Sequence, residues 1–507
     1  MNKAYSIVWN SSRQAWVVAS ELARGHGFVL AKNTLLVLTV ASTVGNAFAQ
    51  NVSSGVVSNG VVSSGETQVV YSNGQTSNAT VNSGGIQNVN NGGKTTSTTV
   101  NSSGAQNVGN SGTAISTIVN SGGMQRVSSG GVTSATNLSG GAQNIYNLGH
   151  ASSTIIFNGG IQTIFSGGIS EDTNISSGGQ QRVSSGGVAS GTTINSSGTQ
   201  NILSGGSASA TVVNTSGFQY VSSGGTATGT KLSGGNQNVS SGGKAIAAEV
   251  YTGGKQTLYS GASASHAVLS GGTQNVSSGA EATDTVVNSS GIQNIYSGGS
   301  ASATVVNTSG FQRVSSGGTA TGTKLSGGNQ NVSSGGKAIA AEVYTGGKQT
   351  LYSGASASHA VLSGGTQNVS SGAEATDTVV NSSGIQNIYS GGSASATVVN
   401  TSGFQRVSSG GTATGTKLSG GNQNVSSGGK AIAAEVYTGG KQTLYSGASA
   451  SHAVLSGGTQ NVSSGAEATD TVVNSSGIQN IYSGGSASAT VVNTSGFQRV
   501  SSGGTAT

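Results

Sequence analysis

The sequence predicts an all-β fold, a right-handed parallel β-helix whose rungs are 18 or 19 residues long and follow a cleavable leader. Three observations predict it. A glutamine returns at that spacing from Gln68 to Gln498, and a fixed short period means one structural unit stacked on copies of itself. Gly-centred turns such as Ser233-Gly234-Gly235 and Ser241-Gly242-Gly243 fall every eight to ten residues, which leaves no room for helices. Between the turns the apolar positions keep their register: Val239, Ala245, Ala248 and Val250 have the counterparts Val276, Ala282, Thr285 and Val287. A random coil rich in Gly and Ser has no reason to keep such a register. The chain also lacks proline, which cannot donate to a strand ladder.

Taken from the N-terminus, residues 1–49 read as a removable leader. Lys32 precedes an apolar run from Thr34 to Val44, and Ala47-Phe48-Ala49 supplies the small residues of a cleavage site between Ala49 and Gln50. The run is too short to anchor in a bilayer. Residues 50–63 read as a degenerate cap, and residues 64–507 as the repeat region.

Within a repeat, Asn236-Gln237-Asn238-Val239 alternates, so Gln237 and Val239 share one face. The longer stretch from Lys244 to Tyr251 needs a bend near Ala247 to place Ala245, Ala248 and Val250 inward. Three short strands per turn follow, stacked about 4.8 Å apart. The 24 glutamines from Gln68 to Gln498 then make a rod on the order of 110 Å long. Gln87, Gln106, Gln125, Gln237, Gln274 and Gln293 are expected to form part of an internal amide ladder, because a buried amide needs partners and its own copies above and below can supply them. A second period lies over the first. From Thr226 the chain repeats without change every 93 residues, at Thr319, Thr412 and Thr505, each block holding five rungs.

Composition limits the chemistry. There is no cysteine, so neither disulfides nor a thiolate metal site are available. Without the leader, 15 basic and 12 acidic residues remain, and no basic patch interleaved with aromatics follows residue 49, so nucleic acid is not an expected partner. Glu249, Glu281, Asp284 and His266 recur once per block and are the only candidates for a glycan-cleaving site. All four are placed outward on a surface without long loops, so no catalytic residue is assigned. Ser-Gly-Gly is not followed by the aspartate that calcium-binding β-rolls use, and one His per block makes no zinc site. The sequence calls for no cofactor.

The N-terminal extension, through Tyr5, Trp9, Arg13, Trp16, Ser20, Glu21 and Leu22, resembles the extended signal peptide of large Gram-negative autotransporters. The leader segment His26-Gly-Phe-Val-Leu-Ala-Lys32 and units of the form Ser-Gly-Gly-x-Gln-Asn-Val-Ser-Ser-Gly-Gly resemble the AIDA-type self-associating adhesins. The resemblance implies a passenger exported through the periplasm to the outer surface, where it self-associates between neighbouring cells, builds biofilm and adheres to a host receptor or glycan whose identity the residues do not give. It also implies modification by a dedicated heptosyltransferase, for which Ser240, Ser241, Ser277 and Ser278 match. A C-terminal outer-membrane barrel is expected of the family, yet no barrel-like strands occur before Thr507, so a fragment or a truncated product is expected. The alternatives in other classes are a polysaccharide-active β-helix enzyme and a purely structural stalk for a head domain.

Overall fold

The computed structural model describes residues 5–10, 15–20 and 49–507. The leader's apolar run from Thr34 to Val44 lies outside the described residues. Tyr5–Asn10 and Ala15–Ser20 pair as an antiparallel hairpin. From Ala49 onward the chain is a parallel β-solenoid with three strands per turn.

One rung shows how the sequence builds it. The first arm, Asn236–Val239, buries Gln237 and Val239. The second, Lys244–Ile246, buries Ala245, and the third, Glu249–Tyr251, buries Val250. The bend expected near Ala247 falls on Ala247 itself, a single residue in the left-handed region (φ 52°). Its equivalents are His266, Asp284, Ala303 and Gly322. The first turn carries consecutive positive φ at Ser241 and Gly242, closed by Gly243 N donating to Ser240 O at 2.9 Å, the φ signs of a type I′ turn. Each arm pairs in register with the arm one rung away, Gln237 with Gln219 and with Gln256. The turns pair as well: Ser241 N donates to Ser260 O and Gly242 N to Gly261 O. Backbone groups that a loop would leave to water are therefore satisfied within the stack.

The difference between 18 and 19 residues is absorbed in one place. In every short rung after the first, the turn between the third and first arms loses a residue and Gly takes its place in an isolated bridge, as in Asn214 to Gly234 and Tyr251 to Gly271. Bare glycine is needed there, because a Cβ on Gly271 would lie 2.4 Å from Thr252 Oγ1. Gln and Val thus stay in phase although the period changes.

The core is two apolar columns. One joins the first-arm Val, Ile and Leu to the second-arm alanines, and the other is the third-arm Val, Ile and Leu alone. Between them runs a polar seam. Each glutamine Nε2 donates to Oε1 of the glutamine one rung earlier, at 2.6–2.8 Å, without a break from Gln50 to Gln498. A second column completes it: Thr285 and Thr304, at the position of Ala248, donate their hydroxyls to Gln274 and Gln293 Oε1 of the same rung at 3.3 and 3.1 Å. No buried side-chain polar atom among the described residues lacks a partner.

Candidate adhesive surface

With glutamine, threonine and the aliphatic residues committed to the interior, chemistry is confined to what the arms and turns present outward. The third-arm face carries a repeated ionic triad. Lys231 Nζ lies 3.5 Å from Glu249 Oε2 on the next rung, and the Tyr251 hydroxyl donates to the same carboxylate. That carboxylate, accepting the phenol's hydrogen bond, raises the Tyr251 pKa above the ordinary tyrosine value. The triad returns at Lys324, Glu342 and Tyr344 and at Lys417, Glu435 and Tyr437, about 24 Å apart for five rungs of about 4.8 Å.

At the one-residue corner, His266 Nε2 and Asp284 Oδ2 are 3.8 Å apart on successive rungs, both side chains more than half exposed. Exposed ion pairs of this kind contribute little, about 0–1 kcal/mol each. Glu249 is held by Lys231 and Tyr251 and does not join them, and Glu281 stands on the second arm in register with Ser263 and Ser300. The four titratable residues that sequence singled out are thus spread over two arms and a corner.

The first-arm face is amidic and aromatic. Asn294 Nδ2 donates to Asn275 Oδ1 at 2.9 Å, and the Arg313 guanidinium lies 5.9 Å from the Phe311 ring centroid. Of the serines matched to modification, Ser241 and Ser278 are exposed in the left-handed position of the first turn, while Ser240 and Ser277 are half-buried. Ser277 Oγ is also engaged, donating to Leu258 O at 3.1 Å. Gln50, on the mature side of the expected cleavage site, is the first member of the seam, its Oε1 accepting from Gln68 at 2.7 Å. Residues 49–62 therefore form a turn of the same coil.

Sequence reasoning missed two features. The Thr column escaped because Ala248 and Ala267 interrupt it. The other is a shallow cleft of about 370 Å³ where the short rung draws the chain inward, lined by Gly253, Lys255, Gly271, Thr273, Asn275 and Asn294. None of Glu249, Glu281, Asp284 or His266 lines it.

A long rod with a repeated polar exterior behind an export leader defines a secreted surface passenger, and the comparisons with known proteins agree. Residues 1–50 match the family described as "Extended Signal Peptide of Type V secretion system", and residues 145–198 match "Adhesin of bacterial autotransporter system, probable stalk". The chain is 79% identical over 72 residues to the autotransporter adhesin AIDA-I of Escherichia coli, a stretch that is 14% of this chain and 6% of that protein. It is 40% identical to a TibC-catalyzed hyper-glycosylated TibA fragment known from a crystal structure, covering 54% of this chain and 93% of that one, with a TM-score of 0.46. In its leader and in part of its repeats the chain is thus similar to the AIDA-type autotransporter adhesins. It is secreted to the Gram-negative cell surface. It spans only 6% of the length of AIDA-I.

Proposed function

We propose that this chain is the passenger through which cells aggregate, form biofilm and adhere to host surfaces, by many weak polar contacts along the rod and without catalysis. The observation that carries the reading is the exterior itself: the same triads and corner pairs recur every block, and avidity multiplies individually weak contacts. The leader is assigned to residues 1–49, the degenerate N-terminal cap to 50–63 and the repeat passenger to 64–507. Deleting one 93-residue block keeps the rung register and removes one copy of each surface element. Sedimentation of cells expressing the anchored passenger should then slow in steps as one, two and three blocks are removed. Undiminished clumping after loss of all three would sink the reading.

A second reading has a specific observation behind it, since the matched repeat family is described as a probable stalk. A stalk carries a head outward, and adhesion would then survive replacement of the repeats by unrelated rungs of equal length.

The TibA fragment is hyper-glycosylated by TibC, and a heptosyltransferase is proposed to act here on turn serines. Accessibility ranks the candidates: Ser241 and Ser278 present free hydroxyls at the rod's edge, whereas Ser277 is bonded to Leu258 O. Peptide mass spectrometry after co-expression with such an enzyme should find sugar on Ser241 and Ser278 at several times the occupancy of Ser240 and Ser277. The reverse order would refute the ranking.

A further inference from the structure

We infer that the cleft beside Lys255 is a binding site for acidic saccharides, repeated once per block. Three features converge on it. First, its concavity is built in: the 18-residue rung that contains Gly271 is one residue short at this edge, and Gly253 and Gly271 present no side chains. Second, the groups facing it are mostly hydrogen-bond donors. The Asn ladder ends at Asn275, because the residue in register one rung earlier is Thr257. Asn275 Oδ1 accepts from Asn294, while Asn275 Nδ2 makes no side-chain hydrogen bond among the described residues and is not one of the buried polar atoms, all of which have partners. Third, Lys255 has no carboxylate within ion-pair distance among the described residues, unlike Lys231, which is paired with Glu249.

An unpaired ammonium, an amide N–H and the Thr273 hydroxyl around one hollow favour an oxygen-rich anion. The chemistry of the rim narrows it further. In the copy of the cleft two blocks on, lined by Lys441, Thr459, Asn461 and Asn480, Tyr482 forms part of the wall, and Tyr296 holds the equivalent place beside Asn294. A ring next to amides suits a sugar, whose C–H face packs on the aromatic while its hydroxyls meet the amides. A carboxylate on that sugar meets the lysine. The middle block repeats the same residues at Lys348, Thr366, Asn368 and Asn387. Three clefts about 24 Å apart on one face match a polymer better than a monosaccharide, since each is open and weak alone and the gain lies in simultaneous engagement.

The inference deepens the adhesive reading by naming a ligand class, but its test is independent of cell clumping. The purified full-length secreted chain is titrated with polygalacturonate, polysialic acid and neutral dextran at physiological salt. Saturable binding to either acidic polymer, and none to dextran, is expected, and the preferred polymer distinguishes uronate from sialate. Lys255→Gln, Lys348→Gln and Lys441→Gln together should weaken binding about tenfold or more, as loss of charge-assisted contacts does. The matched set Lys244→Gln, Lys337→Gln and Lys430→Gln, on the second arm, removes the same charge and should change affinity less than twofold. Circular dichroism of both sets should match the parent, and Asn275→Ala with Asn368→Ala and Asn461→Ala should weaken binding without changing charge. No saturable binding to either acidic polymer overturns the proposal, as does equal loss in the two lysine sets. Loss of rod-to-rod association with unchanged polymer binding would assign the lysines to a second copy and overturn it too.

Discussion

Deleting Asn294 should dismantle its rung and loosen both neighbours, whereas a deletion of equal size only a few residues away should leave the stack intact. Asn294 separates Gln293 from Ile295 in the first arm, and all three pair in register with the rungs on either side. Removing it turns Ile295 outward and drives Tyr296 inward, because side chains alternate along a strand. The burial of Ile295, worth about 1.5–3 kcal/mol, is lost, and the badly filled site adds to that, so a local loss on the order of 3–5 kcal/mol is expected. No turn can absorb the slip, since the first turn and the corner keep one length from Val70 onward. The second turn is different. Deleting Ser289 with Ser290→Gly converts Asn288-Ser-Ser-Gly291 into the shape of Ser270-Gly271-Gly272, which already exists one rung earlier. Its effect should stay within about 0.5 kcal/mol. Hydrogen exchange followed by mass spectrometry reads both, rung by rung, which suits a stack that need not unfold in one step. Equal protection between Gln274 and Gln312 in the two deletions would contradict this account of the register.

Those two deletions also mark what is legible in the sequence. The inward Gln, Val and Ala positions follow from period alone, because a two-residue alternation broken by Gly turns leaves one consistent inside. The corner at Ala247 follows as well, since Ala245, Ala248 and Val250 cannot all face inward from one straight strand. The Thr column was harder to see. Ala248 and Ala267 precede Thr285 and Thr304 in the same column, so the position looks merely small, and only the distance to Gln Oε1 shows that the hydroxyl is used. The cleft could not be read at all, since it arises from a missing turn residue, an ended Asn ladder and an unpaired lysine brought together from three rungs. For the same reason Ser277 and Ser278 look alike in the chain, and only the stack separates a bonded hydroxyl from a free one.

The glutamine seam makes the second large prediction, and for one substitution its size depends on pH. In the parent, Gln293 Nε2 donates to Gln274 Oε1, while its own Oε1 accepts from Gln312 Nε2 and Thr304 Oγ1. Gln293→Leu leaves Gln312 Nε2 and the Thr304 hydroxyl without that acceptor. Gln274 Oε1 is spared, because Thr285 still donates to it. Two orphaned buried donors at about 1–3 kcal/mol each give a local loss of about 2–6 kcal/mol. Thr304→Val should lose far less, about 1 kcal/mol, since Gln293 Oε1 keeps Gln312 and the fold already tolerates Ala248 at that place. Gln293→Glu separates the two halves of the amide's work. A protonated carboxyl donates to Gln274 and accepts from Gln312, reproducing the seam, whereas a carboxylate has nothing to donate and is buried without a cation. Its folded-state pKa is therefore raised above the unfolded value of about 4.3. In that direction the folded state holds the extra proton, so stability is fullest below about pH 4 and falls as pH rises, by about 1.4 kcal/mol per unit, until the folded pKa is passed. Exchange protection of the rungs around residue 293 should approach that of the parent at pH 4 and fall well below it at pH 7. A deficit of the same size at both pH values would mean that the amide's donor is not what holds the seam.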